Sequence, residues 1–140
     1  MKRFTAGLAV SALAASAVLG VGAPAIAASP TCTASALNPA IVGGEIYGQG
    51  QIHCTVTATF TLTVKLWRND GDGSFSHWSR SWTEVGETYG QDVETACVAG
   101  AGTRQWHTEA VISWKIYDGS NLQASGSGYD NSSDVNINCH

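Results

Sequence analysis

From Ile52 to Leu66 the chain alternates without a break. Even positions carry Ile52, Cys54, Val56, Ala58, Phe60, Leu62, Val64 and Leu66, and odd positions carry His53, Thr55, Thr57, Thr59, Thr61, Thr63 and Lys65. A period of two sends one set toward a core and the other toward solvent. Threonine is β-branched and polar, so it suits an exposed strand face. The segment predicts one long strand, or two strands joined at a bend. Cys54 falls in the inward phase, as a buried disulfide between two sheets requires.

The remaining pattern is of the same kind. Asn69-Asp70-Gly71-Asp72-Gly73-Ser74 is a turn cluster, and Phe75 to Val85 predicts the return strand of a hairpin. Gly86 to Gly90 reads as a loop and Asp92 to Val98 as a short strand. Arg104 to Tyr117 alternates again, with Trp106, Thr108, Ala110, Ile112, Trp114 and Ile116 in one phase and His107, Glu109, Val111 and Lys115 in the other. Asp118-Gly119 marks a turn, a Gly/Ser stretch follows, and Val135, Ile137 and Cys139 form a final strand. Residues 28–50 are Gly- and Ala-rich and weakly patterned, with room for one edge strand near Ala40 to Tyr47. No segment has a helical period. Short strands separated by Gly, Asp, Asn and Ser turns predict an all-β fold, a two-sheet antiparallel β-sandwich of Ig-like or Greek-key type.

The first 27 residues change the picture of the chain's destination. Lys2 and Arg3 precede an uncharged Ala/Val/Leu-rich run ended by Pro24, and Ala25-Ile26-Ala27 is a cleavage signal. Residues 1–27 thus read as a secretory signal peptide, leaving residues 28–140 as a single exported domain. No second apolar run approaches the roughly 18 residues of a membrane helix, so the product is expected to be soluble and extracellular. Losing Lys2 and Arg3 takes the seven basic residues to five against eleven acidic ones, a net charge of −6. That balance disfavours nucleic acid as a partner.

Four cysteines, Cys32, Cys54, Cys97 and Cys139, lie after the cleavage site. In an oxidising compartment an even count predicts two disulfides. Chain ends fray unless tied, so each terminal cysteine is expected to bond an internal one. Cys32–Cys54 with Cys97–Cys139 is the favoured pairing. The absence of any Cys-x-x-Cys pair argues against a zinc site.

Candidate chemistry is sparse. His107 and Glu109 lie two apart on a predicted strand and project from one face, the arrangement a small secreted hydrolase or ribonuclease uses to share acid and base duties. An acidic protein suits phosphate chemistry poorly, and an exposed cross-strand pair explains the same residues. His53, His77, His107 and His140 have no metal-site spacing, and the acidic turn has Gly71 and Arg80 where a calcium loop needs oxygen ligands. No metal or other cofactor is expected. Five tryptophans lie between residues 67 and 114. Trp106 and Trp114 share the phase of Ala110 and Ile112 and read as core. Trp67, Trp78 and Trp82 are the candidate binding residues: they sit in polar phases, where they would form an aromatic strip, unless a bulge near Trp67 resets the phase and buries them. The Thr55–Thr63 face is the second candidate surface, or that strand is an edge that accepts a partner's strand.

The second half of the chain has a further likeness. Cys97-Val98-Ala99-Gly100, the aromatic strand around Trp106, the Ser-rich segment Ser125 to Ser133 and the closing Val135-Asn136-Ile137-Asn138-Cys139 resemble small exported proteins of actinobacteria without an assigned activity. The resemblance implies a disulfide-bonded sandwich and brings no catalytic residue with it. Together these features predict a secreted, non-catalytic recognition or adaptor module that binds an extracellular protein or a larger secreted assembly. A glycan-binding module, an inhibitor of an exported hydrolase and an enzyme using His107 and Glu109 are the alternatives, in that order.

Overall fold

A computed structural model describes residues 28–140; the predicted signal peptide, residues 1–27, lies outside them. Seven strands make up the described chain: β1 (Cys32–Ala36), β2 (Ala40–Val42), β3 (Glu45–Asn69), β4 (Phe75–Ala96), β5 (Gly102–Asp118), β6 (Asn121–Asn131) and β7 (Val135–Cys139). The fold is all-β with two disulfides. Every strand hydrogen-bonds into one antiparallel sheet. That sheet curls on itself as a half-barrel.

The curl originates in the long β3–β4 hairpin. The pairing of His53 with Thr88 is followed by that of Ala58 with Gly86, so residues 54–57 of β3 face Glu87 alone. This bulge bends the ribbon. On one side of it, β3 lies between β4 and β1; on the other, it lies between β4 and β5. The predicted alternation of β3 holds, with Ile52, Cys54, Ala58, Phe60, Leu62, Val64 and Leu66 all buried. Val56 alone breaks it and is 39% exposed, because it sits on the bend. The hairpin's return arm is one strand, so the expected loop at Gly86 to Gly90 is strand that changes phase as it passes the bulge.

Two glycines let the arms of β3 fold against each other. A Cβ on Gly48 would lie 2.9 Å from Thr108 Oγ1, and one on Gly50 would lie 2.7 Å from Val64 Cγ2. Glycine inside a strand here marks a close approach of backbone to side chain. A third case explains the Gly/Ser stretch that the sequence left unassigned. It forms β6, where Gly126 faces Trp114 and a Cβ would meet that indole at 2.6 Å. At the far edge, the Ala36 N–H donates to Asp130 Oδ2 at 2.8 Å and the Ser133 N–H to Asn38 Oδ1 at 3.1 Å, fastening β1 and the segment after it to β6 and its following loop.

The cysteines pair as Cys32–Cys54 and Cys97–Cys139, the favoured connectivity. The expected role of Cys54 needs correction, however. Cys32 and Cys54 are direct partners on neighbouring strands, so their bond reinforces a ladder rather than joining two sheets. Cys97–Cys139 links two strands that do not pair with each other. It ties the end of β4, which pairs with the first arm of β3, to β7, which pairs with β5. Two disulfides fit an oxidising environment.

Candidate functional site

The odd-numbered side chains of the second arm of β3 point away from the core onto an outer face shared with β4, β5 and β6. Register sets its rows. Lys65 stands between Ser79 and Glu109, and Trp67 between His77 and His107. The Trp67 ring lies 4.7 Å from that of His77 and 6.2 Å from that of His107, centroid to centroid, the latter near parallel at 17°. Lys65 Nζ lies 2.6 Å from Glu109 Oε1 and 6.0 Å from the centre of the Trp67 ring. His107 Nδ1 is 3.2 Å from Asp134 Oδ1. The result is a cross-strand cluster of three aromatic rings edged by paired charges, held on strands rather than on a loop.

His107 and Glu109 do share this face, as the sequence predicts, yet each is engaged by a different neighbour: Asp134 for the histidine and Lys65 for the carboxylate. The three tryptophans proposed as a strip do not form one. Trp78 and Trp82 pair with Leu66 and Leu62 and share their inward phase, where they are half-buried against the core. Trp67, in the opposite phase, is also half-buried, with its Nε1 enclosed and without a hydrogen-bond partner among the described residues. The physical reason is pairing. β4 runs antiparallel to β3 in a register that sets even residues against even, so the face of Trp78 and Trp82 follows that of Leu66 and Leu62. Trp106 is buried and Trp114 half-buried against the core.

Beyond Lys65 the outer face is lined with hydroxyls. Thr61 and Thr83 lie 3.0 Å apart, and Thr63 and Ser81 2.7 Å apart, as hydrogen-bonded cross-strand pairs. The Thr-rich strand is therefore interior to the sheet and is not the edge that strand addition from a partner requires. An open trough of about 560 Å³ runs among Thr59, Thr61, Ser113, Lys115, Ser125 and Ser127. It meets at Ser127 a second trough of about 660 Å³ walled by Glu109, Val111 and Tyr129. Tyr129 is 74% exposed beside Val111. Sequence reasoning missed Tyr129 because it stands in the Gly/Ser stretch. The signal was present, since Ser125, Ser127 and Tyr129 alternate with Gly126 and Gly128 at a strand's period.

A cavity of about 420 Å³ opens at the turn end of the hairpin, lined by Arg68, Asp70, Asp72, Arg104, Trp106 and Cys139 among others. Arg68 lies over the stacked rings of Trp78 and Trp106, at 5.4 and 5.6 Å from their centres, and pairs with Asp70. The Ser76 hydroxyl donates to Asp70 at 2.6 Å. These bonds from Ser76 and Arg68 hold the Asp70 carboxyl below its ordinary range, and bonds from Ser74 do the same for Asp72. The acidic turn spends its oxygens on its own donors. The Gly71 N–H reaches Asn69 Oδ1 at 2.9 Å and the Ser74 N–H reaches Asp72 Oδ1 at 2.9 Å. Among the described residues no three His, Cys, Asp or Glu side chains are grouped to hold a metal ion.

Comparison with known proteins gives little beyond a general likeness. No family model and no curated protein matches the chain. Among solved structures, R. palustris CsgH is similar at 12% identity over 73% of this chain and 89% of its own, with a TM-score of 0.33. Part of β-glucosidase 3B from Thermotoga neapolitana aligns at 12% identity over 77% of this chain and 17% of the enzyme, with a TM-score of 0.34. Spo0M, a sporulation control protein from Bacillus subtilis, aligns at 12% identity over 74% of this chain and 48% of its own, with a TM-score of 0.30. Likeness this distant carries no functional argument.

Proposed function

We propose that residues 28–140 are the exported form of a secreted, non-catalytic recognition module, which binds an extracellular protein or a larger secreted assembly across its outer face. The observation that carries this reading is the uncovered surface of β4, β3, β5 and β6. It has aromatic rings at Trp67 and Tyr129, few unpaired charges, and a rigid strand backbone beneath. Such a surface binds with little loss of conformational freedom. The exported reading is supported by the signal-like residues 1–27 and by the two disulfides. A two-layer sandwich is supported by the close approach of Gly48 and Gly50 to Leu66, Val64, Thr108 and Ala110. The non-catalytic reading is supported by the separate engagement of His107 and Glu109 by different neighbours.

A glycan is the second reading, favoured by the hydroxyl-lined trough beside exposed Tyr129. Aromatic faces stack on sugar rings, and hydroxyls match a sugar's own donors and acceptors. Affinity capture from culture fluid and a glycan array, each run with the wild type and with Tyr129→Ala and Lys65→Ala, separate the two. A protein ligand is captured by the wild type and lost with these variants while their thermal unfolding is unchanged. Binding that survives both substitutions refutes the assignment of this face.

A further inference from the structure

Among the described residues the long strand β4 pairs only with β3, so its other edge has no strand partner there along Phe75–Ala96. Exposed edges of this length invite pairing and are usually blunted by charge. Here the charges are arranged in a particular way. On the inward phase of β4 from its start to the bulge, opposite the second arm of β3, the order is Trp78, Arg80, Trp82, Glu84, Gly86. Trp78 and Trp82 lean on the core, whereas Arg80 and Glu84 are exposed and form no ion pair among the described residues.

We propose that this edge is a homodimer interface, in which β4 pairs antiparallel with β4 of a second copy about a two-fold axis at Trp82. In that register Arg80 of each copy stands opposite Glu84 of the other, and Trp78 opposite Gly86. Opposite charges directly across an antiparallel pair attract, and like charges repel. The two-fold axis makes each contact occur twice. Neighbouring registers that keep the inward faces together are worse. An axis at Arg80 sets arginine against arginine, and one at Glu84 sets glutamate against glutamate. Axes at Ser81 or Thr83 place one of the charges opposite Trp82 and leave both without a partner. A single charge on an edge deters association, but two opposite charges four residues apart are self-complementary in one register. The pairing extends the sheet across both copies and leaves each outer face open, so it is independent of what that face binds.

Sedimentation equilibrium of the disulfide-bonded protein over roughly 1–500 μM, a range that brackets a micromolar dissociation constant, tests the interface. The wild type is expected to dimerise. Arg80→Glu and Glu84→Arg are each expected to weaken the dimer by about tenfold or more, since two attractive pairs become repulsive. The double reversal Arg80→Glu/Glu84→Arg restores it, and the two single variants, each self-repelling, associate with one another when mixed. Far-UV circular dichroism and thermal unfolding confirm that each variant folds. A wild type that is monomeric throughout, or a dimer indifferent to both single reversals, overturns the proposal.

Discussion

Substituting Gly50 by alanine tests whether the two arms of β3 pack face to face. The added Cβ would sit 2.7 Å from Val64 Cγ2 and 3.1 Å from Ala110 Cβ. Ordinary carbon contacts fall at about 3.5–4.0 Å, so the overlap approaches 0.8 Å on the valine side. Val64 and Ala110 are both fully buried and have nowhere to retreat. Overpacking of this kind costs about 1–3 kcal/mol. The loss of chain freedom in the unfolded state returns about 0.4–1 kcal/mol, which leaves a net cost of about 1–2 kcal/mol. Gly86→Ala is the control, since nothing lies within 4 Å of its Cβ position; it is expected to be neutral or slightly stabilising. Urea unfolding of both variants, with intact disulfides, reads the difference. A double-mutant cycle with Val64→Ala sharpens it. Val64→Ala alone creates a void, whereas combined with Gly50→Ala it removes the clash, so the pair costs less than the sum of the singles. Equal stability of Gly50→Ala and Gly86→Ala, or strict additivity in the cycle, refutes the packing.

Further outcomes follow from other sites. Thr108→Val removes a fully buried hydroxyl without a hydrogen-bond partner among the described residues, and thermal unfolding is expected to show unchanged or higher stability, by up to about 1 kcal/mol. Trp106→Ala, deep in the core, is expected to cost about 3–5 kcal/mol in the same assay, and half-exposed Trp67→Ala clearly less. Replacing Cys97 and Cys139 by alanine opens the loop spanning 42 residues and costs about 4 kcal/mol on chain entropy; the 22-residue Cys32–Cys54 loop costs about 3 kcal/mol, and urea midpoints should rank them so. Tyr47 donates to Glu45 Oε2 at 2.7 Å, and this bond, with the nearby carboxylates, pushes its phenol up to about 12. A raised folded pKa means this contribution is complete below the ordinary value near 10 and is lost as pH climbs from there through 12; Glu45→Gln should move the Tyr47 transition down in an ultraviolet absorbance titration. Asp70 has the opposite sign. Its contribution is present above the ordinary carboxylate value and is lost as pH falls through its lowered one, so Asp70→Asn should flatten the acid limb of a stability profile.

The sequence made the strands of strong alternation legible, and Ile52–Leu66 and Arg104–Tyr117 lie within β3 and β5. The need to tie the ends pointed each terminal cysteine to an internal one, and of the two pairings that satisfy it the favoured one formed. What stayed hidden has a common cause. Gly48, Gly50 and Gly126 lack side chains because another element presses on them, and a missing side chain erases the alternation that periodicity reads. This concealed the start of β3 and most of β6. A bend was one of the two readings of Ile52–Leu66, but its place at residues 54–57 was hidden because β3 keeps its even phase across it while β4 changes phase. The placement of Trp78 and Trp82 depended on that pairing, so composition suggested an aromatic strip where register provides one outward tryptophan. The Trp67 cluster required three strands in register, and neither His77 nor His107 marks it from its own segment.

Hydroxyl-radical footprinting of the captured complex addresses the recognition face most directly. Binding is expected to protect Tyr129, His77 and the exposed part of Trp67, while Phe75, Val98 and Tyr117 keep their reactivity. Protection confined to the Arg68–Arg104 cavity or to the β4 edge, with Tyr129 as reactive as in the free protein, would contradict it.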